Sequence, residues 1–398
     1  MTQKTAVNLV ALAILAFLLT FLTGGVNAIP FAGIKGFVVK DLHSTSSAIG
    51  YSFSVFMFGY LIGVILNGIF VRFVKPKYTI YFAGIVYIIA SLLLYSISSA
   101  FGLSVLMILM GFGIGVAYTI PNYIIVNSFD GKSRASLLNV GDFFYSVGGF
   151  AIPIFSGLIL SSGGSWIVVF LSLFIVLIAI AIITIITKFP NFTNSQKNEN
   201  KDFVPVVYSK WNLNVYLMLI MVFFYMMSYM GFSFWIISYL MKNFHVQIGY
   251  AVYGYSLFWI FYAIGCFISS FAVRVIQVHK YIMGSMCLAI VAYILLYFAG
   301  SAGFYCVAIS ILGLGCATVF SSSIGYGSQL IKTPSPMFIS ILLAGCTVGS
   351  LVGETLSSYV QSAMGMSAVT IISGIYMIIA LLILIVIVIR NNRNPAES

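Results

Sequence analysis

Twelve apolar stretches, each near the length that crosses a bilayer, follow one another along this chain of 398 residues and leave it little freedom in how to fold. A helix needs about 20 apolar residues to span the hydrocarbon core. The stretches fall at about 6–38, 47–71, 78–99, 103–128, 136–160, 165–188, 212–240, 248–272, 280–299, 303–330, 337–361 and 366–390. With 62% hydrophobic and 6% charged residues, no soluble body could hide its apolar surface, so the solvent is lipid. The expectation is an all-α membrane protein of twelve transmembrane helices. Lys4, the apolar run behind it and Val26-Asn27-Ala28 have the outline of a signal peptide. The run continues past Ala28 and eleven spans follow, so cleavage is not expected.

Charge fixes the orientation. An even number of spans puts both termini on one side. Of the 18 Lys and Arg, only Lys35, Lys40 and Lys242 fall on the opposite side, which leaves 15 with the termini. The positive-inside rule then makes the terminal side cytoplasmic. The expected setting is the inner (plasma) membrane of a bacterium, with the bilayer as surroundings. The net charge of +11 is this topological bias and calls for no nucleic acid. Cys266, Cys287, Cys306, Cys316 and Cys346 have no paired spacing and read as small core residues, not as metal or disulfide partners. No cofactor and no metal is expected.

The one long hydrophilic stretch, about 189–211, divides the chain into six-helix halves at 1–188 and 212–398. The halves echo each other. Gly113-Ile-Gly115-Val-Ala117 matches Gly313-Leu-Gly315-Cys-Ala317 at an offset of about 200, and Val147-Gly148-Gly149 matches Val348-Gly349-Ser350. Lys40-Asp-Leu-His43 matches Lys242-Asn-Phe-His245. Three matches in one order make a parallel repeat, two six-helix halves related by an axis along the membrane normal. That is the major facilitator fold, with its site expected near the midplane between the halves. Gly111, Gly113, Gly115, Gly313 and Gly315 are spaced for close helix contact.

Longer motifs carry a more specific resemblance. Phe320-Ser-Ser-Ser-Ile-Gly-Tyr-Gly-Ser-Gln329, Lys332-Thr-Pro-Ser-Pro336 and Ala344-Gly-Cys-Thr-Val-Gly349 resemble spans ten and eleven of the fucose–proton symporter branch of the major facilitators. Gly141-Asp142-Phe-Phe-Tyr-Ser-Val-Gly-Gly149, Lys210-Trp211, Tyr229-Met-Gly-Phe232 and Ser256-Leu-Phe-Trp259 extend the likeness over nearly the whole chain, nearer to the TsgA-like members. The resemblance implies proton-linked uptake of a small polar solute by alternating access, and a monomer. It also shows departures. The acids that the fucose symporters use in spans one and four fall near Ala32 and at Tyr118. The loop 68–75 lacks the usual Asp. Neither sugar specificity nor the coupling residues carry over.

The chain's own acids take that place. Of seven carboxylates, only Asp142 and Glu354 lie inside apolar spans. A charge there costs roughly 2.5 kcal/mol or more on insertion scales, so such an acid is read first as functional. Asp142 is a proton site or a substrate acceptor; the other reading is a structural ion pair that locks a gate. Arg134, two turns away on the same helix, is too far for that pair, so a partner would come from another span. The TsgA-like members also carry an acid here. Glu354 shares a face with Thr347 and Ser350. It is a proton carrier, or it pairs with Lys35 as an outer gate; the family pattern has no acid there.

Asn27, Phe31 and Lys35 recur at i, i+4 and i+8 in the first span, which would put them on one helix face. Pro30 removes a backbone hydrogen bond, which suggests a locally opened helix lining a cavity. Lys35 either attracts a substrate carboxylate or snorkels to the outer interface. Tyr118 and Asn122, Tyr225 and Tyr229, Trp259, and Ser322, Tyr326 and Gln329 complete a candidate pocket of aromatic walls and placed polar groups. With 25 Tyr and 35 Phe in the chain, packing is the competing account of each aromatic. His43 and His245 read as outer-loop residues, with pH sensing one use for them, and His279 as a cytoplasmic loop residue.

The function that follows is secondary active transport: proton-coupled uptake of a small polar solute, a small carboxylate or vitamin by the argument from Lys35. The alternatives are a sugar–proton symporter and a proton-coupled exporter of drugs or metabolites. An enzyme is not expected, since the chain has no HExxH, no Cys pair and no P-loop.

Overall fold

The computed structural model describes residues 3–31, 34–71, 73–189, 211–317, 319–331 and 336–393. Most of the 189–211 linker, and Ala32, lie outside them. Every regular element among the described residues is helical. In chain order these are α1 (Gln3–Ala28), α2 (Lys35–Asp41), α3 (Ser46–Phe70), α4 (Pro76–Leu93), α5 (Ala100–Ser128), α6 (Gly131–Ser161), α7 (Trp166–Ser172) and α8 (Phe174–Ile186). The second set is α9 (Leu213–Ser233), α10 (Ile236–Phe244), α11 (Ile248–Val275), α12 (Val278–Tyr297), α13 (Ala302–Cys316), α14 (Val319–Gly327), α15 (Pro336–Met364) and α16 (Met366–Arg393). Twelve spans among the described residues are long and apolar enough to cross a membrane.

Four spans are interrupted where a continuous helix was expected, among them the sixth, which divides at Leu173 between α7 and α8. The first stops at Ala28, passes through a 3-10 turn over Ile29–Phe31 that contains Pro30, and resumes as α2 only at Lys35. Pro30 has no N–H to give to a helical ladder, so the sequence marks this break. The seventh span divides between Ser233 and Ile236, and the tenth between Cys316 and Val319. His279, expected in a loop, belongs to the first turn of α12. Cys287 is exposed and not in the core.

The repeat is written in the backbone. The N-caps of α3, α4 and α5 are Thr45, Lys75 and Ser99; those of α11, α12 and α13 are Gln247, Gln277 and Ser301, each 202 positions later (301 − 99 = 202). Ser99 Oγ accepts from the Gly102 N–H at 3.2 Å and Ser301 Oγ from the Phe304 N–H at 3.3 Å, the same cap in both halves. His43 and His245 are the two non-glycine residues with positive φ among those described, at 45° and 53°. That left-handed conformation costs an ordinary residue about 1–2 kcal/mol.

Helix contacts repeat in the same register. On α5, a Cβ at Gly111 or Gly115 would overlap the carbonyls of Phe56 and Tyr60 on α3. Gly59 and Gly63 of α3 meet Ile108 and Phe112 in return. On α13, Gly313 meets Phe258 of α11 in the same way. Structural equivalence therefore aligns Gly111 with Gly313 and Phe56 with Phe258, a shift of 202, and corrects the sequence pairing of Gly113 with Gly313 by two positions. With lipid tails outside, such contacts hold by van der Waals packing at close backbone approach.

The described residues form two compact units. The first comprises Met1–Phe129, Phe144–Val207 and Ser335–Ile341; the second comprises Asp130–Phe143, Tyr208–Pro334 and Leu342–Ser398. The helix α6 thus changes allegiance after Phe143, and α15 after Ile341.

Candidate functional site

The interrupted tenth span organises the second unit. A helix that stops and restarts leaves carbonyls at one end and N–H groups at the other without intrahelical partners. The carbonyl of Cys316 accepts the hydroxyl of Tyr225 at 2.7 Å, and that of Ala317 accepts the thiol of Cys266 at 2.9 Å. Across the break, the Asp142 carboxylate on α6 lies within electrostatic reach of Ser321 in the first turn of α14. An anion at a helix N-terminus is favoured by the helix dipole.

More bonds hold the start of α6 in place. Ser322 Oγ donates to Asn139 Oδ1 at 3.2 Å. Arg134 reaches Ser328 Oγ at 3.0 Å with one nitrogen and Asp130 Oδ1 at 3.2 Å with another. Arg274 Nε donates to Ser136 Oγ at 3.1 Å. These bonds explain why residues 130–143 group with the second unit.

Tyr225, Tyr262, Cys266 and Cys346 all lie within electrostatic reach of Asp142. Tyr229 packs at 5.0 Å from Tyr225 and 6.2 Å from Tyr262, and Trp259 at 5.6 Å from Tyr262 (ring centroids). The structure therefore brings together Asp142, Tyr225, Tyr229, Trp259 and Ser322 of the sequence-derived set. It adds Ser321, Tyr262 and Asn139. Tyr326 packs instead on the His279 ring at 5.6 Å, and Gln329 is exposed in the turn after α14. Neither has a described contact with Asp142.

A second polar group belongs to the first unit. Asn27, in the last turn of α1, donates through Nδ2 to Tyr145 OH at 3.1 Å. The ring of Tyr145 lies 6.0 Å from that of Tyr118, which lies 5.6 Å from Tyr60. Asn67 donates to Thr119 one residue on from Tyr118, and Asn122 is buried further along α5. Asn27 Oδ1 and Asn67 Oδ1 are both buried and accept no hydrogen bond among the described residues. Gly24 sits under the Tyr145 carbonyl and Gly148 against Phe21, so α1 and α6 meet backbone to backbone beside the Asn27–Tyr145 bond.

The single face expected for Asn27, Phe31 and Lys35 does not form, because α1 ends at Ala28. Phe31 closes the 3-10 turn; its side chain is outside the described residues. Lys35 is the first residue of α2, exposed, with its ammonium over Gly50. Tyr145, like Ser321, Tyr262 and Asn139, was passed over by sequence reasoning, although it stands three positions after Asp142 on the same helix.

Glu354 sits half-buried on α15, where Gly353 packs against the backbone of Met227. Tyr255 is within its electrostatic reach. Thr347 and Ser350 share its face, but their hydroxyls return to their own helix, to Leu343 O and Cys346 O, both at 3.0 Å.

Two repeated sets of six spans, with acids, amides and phenols gathered around interrupted helices, define a multi-pass membrane transporter. A TsgA homolog of Buchnera aphidicola is 27% identical over 381 residues, 95% of this chain and 96% of that one. The fold is that of the transporter FucP in its outward conformation (TM-score 0.74, 17% identity, 94% of this chain and 98% of that one). It is also that of a structure of the E. coli fucose:proton symporter FucP (TM-score 0.76, 16% identity, 97% and 99%). The sequence profile of the Major Facilitator Superfamily matches residues 16–336, and the chain belongs to that family.

Proposed function

We propose that this transporter is a proton-coupled symporter that imports a small polar solute by alternating access. It works as a monomer in a bacterial inner membrane, with both termini in the cytoplasm. Its working parts are the repeats 1–188 and 212–398, joined by 189–211. The observation that carries the reading is Asp142, an acid within a membrane span, set against the first turn of an interrupted helix and ringed by Tyr225 and Tyr262. Discontinuous helices at mid-membrane are where secondary transporters bind substrates and coupling ions. The FucP neighbour, described as a fucose:proton symporter, supports proton coupling. Glu354 is the second candidate for the proton.

The solute-binding groups are Asn27 and Tyr118 with Tyr145 in the first unit, and Tyr225, Tyr229 and Trp259 in the second. Lys35, exposed at the start of α2, draws in solutes that carry a carboxylate. Lys35→Ala is then expected to raise KM for anionic solutes by about threefold at low salt, with the effect fading as ionic strength rises. An equal loss for neutral solutes would show a structural role.

The deciding experiment is solute-induced proton flux into proteoliposomes, screened over sugars, small carboxylates and vitamins. Proton influx with one compound establishes symport and names its class. Silence across the panel from folded protein sinks the symport reading.

A further inference from the structure

The described residues hold one ion pair, Arg134 with Asp130, so none of their cations neutralises Glu354. The serines beside it, Ser357 and Ser358, give their hydroxyls to its main-chain carbonyl, at 2.9 and 2.8 Å, and not to its carboxylate. An acid inside a span is costly, and such acids face the bundle interior or a water-filled path. The helix α15 fits the second case. Ser350, Ser358 and Gln361 share the Glu354 face and are half-buried, while Val348, Leu356 and Tyr359 are exposed on the opposite face. The helix α11 is built alike. Tyr255, Trp259 and Tyr262 lie on one face, and Tyr253, Ile260, Ile264 and Phe267 are exposed on the other. It is α9 that brings the two together. A Cβ at Gly231 would lie 2.8 Å from the Gly353 carbonyl oxygen, and one at Gly353 2.7 Å from Met227 Cα, so α15 crosses α9 over the turn that holds Tyr229. The Tyr229 ring lies 6.1 Å from that of Phe258 and 6.2 Å from that of Tyr262. Glu354 and the α11 rings therefore share one depth. Trp259 stands 5.6 Å from Tyr262 and 6.4 Å from Tyr255 (ring centroids), and Tyr255 is within electrostatic reach of Glu354.

We propose that Glu354, with the aromatic stripe Tyr255, Trp259 and Tyr262, receives a substituted ammonium group on the transported solute. The carboxylate supplies the opposite charge that the described chain leaves unpaired. The ring faces attract a cation through their quadrupole, and alkylated ammonium groups are the ligands that aromatic walls recognise. A neutral sugar would leave the carboxylate unpaired, and a carboxylate at this point would be repelled by it. A bare primary ammonium brings three N–H donors, more than one carboxylate and ring faces can satisfy. The inference rests on the reading above that this chain carries a small polar solute, and it leaves the proton to Asp142.

Calorimetric titration of the full-length protein in lipid nanodiscs, with no ion gradient, tests the site. The probes are choline, trimethylamine and tetramethylammonium, and the control is dimethylbutanol, the uncharged carbon analogue of choline. At least one of the cations should bind about tenfold more tightly than dimethylbutanol. Glu354→Gln should erase that preference, and Glu354→Asp should keep part of it. Trp259→Leu should weaken the bound cation about tenfold, while Trp259→Tyr, which keeps a ring face, stays within about threefold of the wild type. The wild-type comparison of cations with dimethylbutanol decides alone should a variant fail to fold. No cation bound more tightly than dimethylbutanol, or a preference that survives Glu354→Gln, would overturn the site. Ammonium binding without proton flux would overturn the symport reading and leave the site standing. Proton flux with a neutral or anionic solute, and no ammonium binding, would overturn the site and leave symport standing.

Discussion

Asp142→Asn is expected to abolish uphill accumulation of solute in energised vesicles while exchange of solute down its own gradient continues within about threefold of the wild-type rate. The amide keeps the volume and one acceptor of the carboxyl group but cannot load and unload a proton. Exchange needs only binding and reorientation; accumulation needs the proton's free energy to be coupled to them. An intramembrane acid is costly, and its removal should not harm insertion. The comparison to make is Glu354→Gln in the same vesicles. If Asp142→Asn still concentrates solute and Glu354→Gln does not, the coupling acid is Glu354 and Asp142 is structural. If both still concentrate it, neither acid carries the proton.

The second large effect is on folding. Gly115→Leu should remove most folded protein from detergent extracts and lower the melting temperature of the remainder by about 10 °C, the scale expected when overpacking costs about 3 kcal/mol or more. The reason is what the new side chain would meet. A Cβ at Gly115 overlaps the main-chain carbonyl of Tyr60, and backbone cannot turn aside as a side chain can. Gly59, Gly63 and Gly111 interleave in the same α3–α5 contact, so one helix cannot slide to relieve another. Gly149→Ala is the control: a Cβ there enters open space, and melting should not move. Thermal unfolding followed by size-exclusion fluorescence separates the two outcomes.

The spans were legible because hydropathy over a window the width of a bilayer is a strong signal, and it survives errors of a few residues at each end. The interruptions were legible only where covalent chemistry marks them. Pro30 announced an opening in the first span, but the face drawn through Asn27, Phe31 and Lys35 assumed that the helix ran on, and it stops at Ala28. The break after Cys316 has no proline. It stands because Tyr225 and Cys266, far away in sequence, satisfy the carbonyls it exposes. Asp142 could be singled out from its residue type and its apolar neighbours. Its nearness to Ser321 joins positions 142 and 321, and no local pattern encodes that pairing. Glycine motifs placed the repeat roughly, but small residues tolerate a shift of two positions. The His43 and His245 turns and the paired serine caps fixed the register at 202.

That register bears on ancestry. Where two copies of a gene segment lie in tandem, unequal recombination between matching points removes one copy's length. Here the crossover would delete 202 codons and join, for example, the turn at His43 to the helix that follows His245 with every cap still in phase. The shortened product loses six spans, an even number, so its ends would stay on one face of the membrane. Two such half-length chains would therefore insert the same way up.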